Sequence, residues 1–454
     1  MSNEFTPPMP ASAPDGVSGL GVLMQLRRNA LGAFPARCLT EPVVHLRMPG
    51  RALFLVSGSA CIAEVLQVRA NAFSRVPAGR RVLGPIAGKG LLTSEGATWR
   101  RQRLAMAPAF TPRQLPMMCD HIIRATEDAG RELRRELGQP IDLYRSMQLL
   151  SLEIAARSMF SVEARSFRDQ LRYLVTDYLR GIGRPSPEDF ILPEWLPTPL
   201  AIRRRLFRQR WLTLIRAVVA ARKQAGSGTV RDLFDVLAAL HPDEPDILVD
   251  QVATMIVAGH ETTALTLFWA LFLLAHAPAW QETIRAEVSN ANLSSENAAA
   301  ALPSLSVTRA VVNETLRLYS PAFMTARIAG ADTQIGGKPV ATGSMVFMPF
   351  WLLHRDPALW CNSARFNPAR FLGAQPGRDR FLPFGLGPHV CIGAQLAMTE
   401  AVLALAVLLR DFRVALIDPD RPVLPVAVLS TRPDHAPAFQ LTPVRSSSLA
   451  AGPS

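Results

Sequence analysis

Apolar residues recur at three- and four-residue spacings over 113–137, 145–162, 165–180, 200–225, 229–240, 306–319 and 394–410, which predicts helices with one buried face. One further segment, about 246–275, is apolar nearly all round and is interrupted only by His260, Glu261 and several threonines. After Glu261 its uninterrupted run is too short for the ~20 residues of a membrane span, and a charge at the centre of one is costly. It reads as a long helix buried in protein, with no membrane span. Ser59–Arg69 and Thr93–Met106 predict short helices, the second stopped by Pro108. Val43–Met48 and Ala52–Val56 flank Pro49-Gly50 and predict a hairpin. Residues 325–350 are β-branched and glycine-punctuated, so strands are expected there and again in the tail. Five prolines break 181–199, and five more make 355–390 irregular. A loop of that length inside a compact domain is usually functional. The expected fold class is mainly α with small β-sheets. With no Gly/Ser linker and no repeat, one large domain is expected over 35–443. A Pro-rich tail (1–34) precedes it and a flexible tail (444–454) follows.

Composition changes this picture little. Of 454 residues, 49% are hydrophobic and 19% charged, which excludes a disordered chain. Lys+Arg 49 against Asp+Glu 37 leaves a net charge of +12, yet only three of those basic residues are lysine. That bias fits a GC-rich genome. No block of five or more like charges occurs, only local clusters such as Arg203-Arg204-Arg205 and Arg100-Arg101, and no aromatic-basic interleaving accompanies them, so nucleic-acid binding is not expected. The N-terminus has no basic n-region or apolar h-region of a signal peptide. Five scattered cysteines with no Cys-x-x-Cys pair argue against a disulfide framework or zinc knuckle, and for a reducing, cytoplasmic compartment.

One cysteine stands apart. Around Cys391 the chain reads Phe384-Gly385-Leu386-Gly387-Pro388-His389-Val390-Cys391-Ile392-Gly393. Three glycines and a proline make a tight turn with little side-chain bulk, so backbone can approach a flat ligand closely. The helix that follows places its N-terminal dipole at the sulfur, which favours a thiolate. This spacing resembles the haem-binding loop of the cytochrome P-450 family of haem-thiolate monooxygenases. Further motifs follow in order. Ala258-Gly259-His260-Glu261-Thr262-Thr263 is similar to the family's oxygen-binding motif. Independently of the name, a glycine and a threonine that bonds back along the helix loosen it and open a polar notch. An acid and a hydroxyl there can deliver protons, so Glu261 and Thr262 are the candidate catalytic pair.

Glu314-Thr315-Leu316-Arg317 matches the family's Glu-x-x-Arg pair, and position rather than pattern selects it over Glu132/Arg135 and Glu282/Arg285. The resemblance joins Glu314 and Arg317 to Arg370, from Pro368-Ala369-Arg370-Phe371, in a buried structural network. Here Ala369 replaces the family's glutamate. Trp99 and Arg103 fit the family's Trp-x-x-x-Arg, which anchors a haem propionate, with Arg327 and His389 as further donors. The resemblance thus implies haem b (iron protoporphyrin IX) with Cys391 as axial ligand. Phe384, Gly385, Gly393 and Ala258 would shape its site.

The resemblance covers about residues 35–443 and implies the two-lobed fold of the family, one large helical lobe and a smaller β-rich one. It also implies a monooxygenase that inserts one atom of O2 into a small hydrophobic substrate. No flavin, nicotinamide or iron–sulfur motif is present. Electrons are therefore expected from a ferredoxin or flavodoxin with its reductase, as in the soluble bacterial type. Arg100, Arg101, Arg113, Arg365 and Arg378 are candidates for docking it. The substrate pocket would be lined from the 72–92 loop, the 181–199 segment and the 425–431 turn, with Met255, Phe323 and Met324. These are mostly apolar, which suits a lipid, terpenoid or aromatic. Two alternatives stand beside this reading: a haem-thiolate peroxygenase or isomerase, and a non-enzymatic haem-binding sensor.

Overall fold

Thirty-one residues from Pro245 to Ala275 form one α-helix through the core of the computed structural model, which describes residues 5–444 except 49, 162–166, 194, 225–231 and 374–375. Pro245 occupies the first turn, where its missing N–H costs nothing. Between Leu248 and Leu274 every residue is buried except Ala258, Gly259 and Thr262. This helix is long and apolar enough to cross a membrane, but 83% of its apolar window is covered by protein. Helices Leu143–Phe160, Pro199–Gln224, Ser306–Leu318 and Ala394–Asp411 pack around it. Leu143–Phe160 approaches most closely, because a Cβ at Gly259 would lie 3.0 Å from Met159 Cε. Its Ser151 hydroxyl donates to the Gly259 and His260 carbonyls at 3.1 and 2.9 Å. The long helix stays continuous through the motif.

A five-stranded sheet flanks the helices in the order Val43–Met48, Arg51–Val56, Met345–Met348, Thr325–Ala329, Phe73–Arg75. All neighbours are antiparallel except Arg51–Val56 with Met345–Met348. The strand Phe73–Arg75 sets Arg75 opposite Arg327. Three two-stranded ladders complete the β structure.

Several expectations need correction. The segment 1–34 is not a tail throughout. Gly19–Asn29 forms a helix, capped by the Ser18 hydroxyl at 3.1 Å, that buries Val22, Leu23 and Leu26. Val22, Leu23 and Leu26 belong to the same cluster of buried apolar residues as Leu441 near the other end of the chain. The 72–92 region is not merely a loop, since Pro77–Ala87 is helical with Pro85 inside it. Pro278–Ser289 is a helix that the periodicity did not mark. The early helix begins at Gly96 rather than Thr93. Within 181–199, Ser186 forms a capping box with Asp189 that starts a short helix, Pro187–Ile191. The expected tail 444–454 lies, beyond Val444, outside the described residues.

Candidate active site

Ala258, Gly259 and Thr262 line a cavity of about 640 Å³. Its opposite wall is the loop Phe384–Gly393. That loop is closed by the Cys391 N–H donating to the Phe384 carbonyl (2.9 Å) and the Val390 N–H to Gly387 (3.0 Å). Gly385 and Gly387 adopt φ of +79° and +75°. A Cβ at Gly387 would stand 1.8 Å from the Leu66 carbonyl oxygen, so only glycine fits there. Cys391 lines the cavity, and the Gly393 N–H donates to its sulfur. Desolvation by the cavity wall nevertheless pushes the thiol above its ordinary value, outweighing Gly393 and Arg103. The helix N-terminus alone does not hold a thiolate here. A metal cation held at the sulfur would supply what is missing.

Cations gather beside this loop. Arg75, Arg103, Arg327 and His389 all line the cavity. Arg75 Nη2 lies 2.9 Å from His389 Nδ1, and the Trp99 ring packs on His389 at 4.0 Å between centroids. The Arg103 guanidinium sits 5.8 Å over Trp99. Among the described residues a single carboxylate meets this group, Glu95 at 3.4 Å from Arg75. Among the described residues Arg327 donates to Thr325 Oγ1 (2.9 Å) and the Ala326 carbonyl (2.8 Å). Burial, then Arg75, pushes Arg327 down to about 10. Burial, then Arg75, Arg327 and Arg103, pushes His389 down to about 4. One buried and two half-buried guanidinium groups (Arg327, then Arg75 and Arg103) against one carboxylate leave positive charge uncompensated, which is costly unless an anionic ligand balances it. The two propionates of a haem would supply that charge, and a sulfur in the same cavity would suit its iron. The residues present therefore fit the group. Arg75 was not identified from the sequence, because nothing local in Phe73-Ser74-Arg75 marks it; only strand pairing brings it to the site.

On the helix wall, Thr262 Oγ1 donates to the Ala258 carbonyl at 2.7 Å. Glu261 is buried, and its two carboxylate oxygens accept from Tyr144 Oη (3.0 Å) and Gln148 Nε2 (3.1 Å). The next threonine, Thr263, donates to Glu400 Oε2 at 3.4 Å. Glu400 also lines the cavity, its Oε1 has no partner among the described residues, and burial pushes its carboxyl up to about 8. Sequence reasoning passed over Glu400 although a signal existed. It is the one charge within the apolar run Ala394–Leu409.

Glu314 and Arg317 lie behind the cavity, fully buried. Arg317 grips both carboxylate oxygens of Glu314 at 2.7 and 2.8 Å and the carbonyls of His354 (2.7 Å) and Ser363 (2.6 Å). Arg370 Nε donates to Glu314 at 3.1 Å. His354 in turn accepts the Leu382 N–H on Nε2 at 2.9 Å, two residues before Phe384. Burial, Arg317 and Arg355 push His354 down to about 3, which keeps that nitrogen free of a proton. The network thus reaches the cysteine loop through one imidazole.

Met255, Phe323, Met324, Phe384, Gly385 and Gly393 are on the cavity wall, with Phe190 and Leu429 from the 181–199 and 425–431 segments. The wall is mainly hydrocarbon.

Residues 12–435 match the family model Cytochrome P-450. The chain is 30% identical over 416 residues to cyclooctat-9-en-7-ol 5-monooxygenase of Streptomyces melanosporofaciens, covering 88% of this chain and 89% of that one. It is 30% identical over 372 residues to a cytokinin hydroxylase of Arabidopsis thaliana, covering 79% and 72%. A crystal structure of a cytochrome P-450DA mutant heme domain shares its fold, with a TM-score of 0.77 at 24% identity over 97% and 98% of the two chains. Sequence, fold and the cavity of sulfur, cations and hydrocarbon converge, and the chain belongs to the cytochrome P-450 family, as a monooxygenase whose cofactor is haem iron.

Proposed function

We propose that this monooxygenase hydroxylates an apolar substrate of the lipid, terpenoid or aromatic kind. The observation that carries the reading is the cavity itself, which sets one cysteine and a cation cluster against walls of hydrocarbon. In this reading Cys391 is the only protein ligand of the iron of haem b. Trp99, Arg103, Arg327 and His389, joined by Arg75, hold the propionates. The glycines at 385, 387 and 393 keep side chains off the macrocycle. Haem iron, when bound, supplies reductive activation of O2 and insertion of one of its atoms into the substrate.

The protein's own task is then to orient the substrate, exclude water and supply protons on time. Met255, Phe323 and Met324 press the substrate toward the cysteine side. Thr262 holds a hydroxyl at the cavity surface, and Glu261 stands one residue away as acid. Glu400 is held protonated near neutral pH by burial, and it reaches the same stretch of helix through Thr263. Electrons come from an acidic ferredoxin or flavodoxin with its reductase. The Streptomyces relative supports a bacterial type, and the five free cysteines support a cytoplasmic setting.

Two variants test this. Cys391→His should change the axial-ligand spectrum of the haem-loaded protein, and alanine at the other four cysteines should not. Thr262→Ala should still bind haem and substrate, but reducing equivalents should appear as peroxide instead of product. Proton-transfer groups are typically worth ~10²–10⁴-fold. An unchanged spectrum in Cys391→His overturns the ligand assignment, and full coupling in Thr262→Ala overturns the role of that hydroxyl.

A further inference from the structure

Among the described residues the buried arginines are Arg204, Arg222, Arg317, Arg327, Arg355 and Arg432. Arg204, Arg222 and Arg317 grip Asp189, Asp232 and Glu314. Arg327 lines the cavity with the propionate donors, and Arg355 lies on the face of Trp351, 3.2 Å from its ring centroid. Arg432, on the strand Thr431–Pro433, is 7% exposed and pairs with no carboxylate among the described residues. Its Nε has no partner there, and its Nη2 meets the Leu179 carbonyl at a long 3.4 Å. These two nitrogens form the edge on which a guanidinium receives both oxygens of a carboxylate. Arg317 uses the same two on Glu314, at 2.7 and 2.8 Å. A buried guanidinium with that edge idle is costly until a ligand fills it.

The idle edge adjoins the cavity. Leu179, whose carbonyl it meets, is on the cavity wall with Leu26, Pro185 and Ser430. Each of these has an arginine close by in sequence: Arg27 after Leu26, Arg180 after Leu179, Arg184 before Pro185, Arg432 two residues past Ser430. Burial, then Arg432 and Arg27, push Arg184 below its ordinary value, so these three guanidinium groups share one field. Arg180 sets its own 6.0 Å over the Tyr144 ring, where Arg432 also acts. None of the four forms an ion pair among the described residues. The carboxylates of this region are engaged elsewhere. Asp189 is held by Arg204 at 2.6 and 3.0 Å, and Glu261 by Tyr144 and Gln148. The Ser430 hydroxyl is buried on the cavity wall, also without a partner among the described residues. The propionate cations Arg75, Arg103 and Arg327 stand on other elements, so this is a second positive group on the same cavity.

We propose that this second group binds the carboxylate of an amphipathic substrate, an acid whose hydrocarbon body extends through the cavity toward Cys391. Arg432 takes both oxygens on its Nε and Nη2 edge. Arg184 and Arg27 add charge from the rim, and Ser430 donates one hydrogen bond. The idea rests on the proposed reading of a hydrocarbon substrate. It adds that substrate's polar end, and so selects an acid over an ester of the same shape.

The test titrates the haem-loaded protein with three acids, dodecanoate, hexadecanoate and abietate, each beside its methyl ester, and follows the haem absorption spectrum. Hydrogen bonds to a charged group are worth about 10–100-fold in affinity. The parent should therefore bind at least one acid about tenfold or more tightly than its ester. Arg432→Gln should weaken that acid about 10–100-fold and leave the ester within about twofold. Arg184→Gln, at the half-buried rim, should weaken the acid about twofold to fivefold. An ester bound as tightly as its acid in every pair overturns the carboxylate site and leaves the hydrocarbon reading standing. So does an Arg432→Gln variant that weakens acid and ester alike. Should Arg432→Gln fail to fold, unchanged acid affinity in Arg184→Gln overturns the proposal. Dodecyl phosphate bound more tightly than dodecanoate overturns carboxylate as the head group. If no acid and no ester moves the spectrum, the hydrocarbon reading falls first and this proposal with it.

Discussion

Glu400 shows what one buried charge can do in this protein. An isolated carboxylate inside an apolar helix is too costly to keep ionised, so the proton stays on. Its pKa rises from an ordinary carboxyl value to about 8, with Thr263 the one group pulling the other way. The consequence for stability has a definite sign. Between about pH 4.5 and pH 8 the folded protein holds a proton that the unfolded chain has released. Stability therefore falls as pH rises through that window and levels off above it. Glu400→Gln should flatten this slope and leave the protein more stable than the parent at pH 8, by up to a few kcal/mol. Denaturant titrations of both proteins at pH 5, 7 and 8.5 measure it. Parallel slopes in parent and variant would show that Glu400 is already ionised at neutral pH. In the proposed function the same proton would be available to the cavity, since a neutral acid beside Thr263 can give one up.

At the scale of elements, the network around Glu314 ties the helix Ser306–Leu318 to the loop that carries Cys391. Arg317 is wholly buried and its guanidinium serves Glu314, His354, Ser363 and Arg365 together. Arg317→Ala leaves the Glu314 charge buried with Arg370 and the Asn367 N–H as its partners among the described residues. Removing one partner of a buried pair typically costs about 3–5 kcal/mol, and chemical denaturation of the purified variant should show a loss of that size. A loss under about 1 kcal/mol, as for a surface pair, would mean the network does not hold the loop. This network was legible in the sequence because Glu314, Arg317 and Arg370 sit in short motifs of fixed spacing. The same holds for the Cys391 loop and for the long helices, whose apolar faces repeat over many turns. Gly19–Asn29 and Pro77–Ala87 were not legible. Glycines at 19, 21, 79 and 84 and proline at 85 read as breakers, and burial of Val22, Leu23, Val82 and Ile86 overrides that local preference. Arg75, Tyr144 and Gln148 were invisible for another reason. Each reaches the site from a distant strand or helix, and only tertiary packing makes them neighbours of Arg327 and Glu261.

At the scale of the whole molecule, the net charge of +12 bears on how electrons arrive. Helix Gly96–Met106 presents Trp99 to His389, two residues from Cys391, and turns Arg100 and Arg101 to solvent. Arg113 is exposed beyond Phe110, whose ring lies near Gly393 at the start of the cysteine helix. Leu104 is 70% exposed on the same helix, and Val68 is 77% exposed two residues after Leu66, whose carbonyl abuts Gly387. The cysteine side of the molecule thus offers two bare apolar side chains among arginines. That chemistry would suit a small, transient interface of under ~1,200 Å² with the acidic electron donor proposed above. Attraction of this kind governs the encounter rate more than the affinity. At ~0.15 M salt the screening length is about 8 Å, so added salt should slow partner-driven reduction markedly. Reversing any single arginine should matter little, because each is a solvated charge and the field is shared. Reversing Arg100, Arg101 and Arg113 together removes six units of charge relative to the parent and should slow reduction by an acidic ferredoxin about tenfold or more, since steering spans ~10–10³-fold. Dithionite, which needs no docking, should reduce parent and triple variant at equal rates. Stopped-flow reduction across a salt series separates these cases. If the triple variant takes electrons from its acidic partner at the parental rate, and salt leaves both rates unchanged, docking occurs on another face of the molecule.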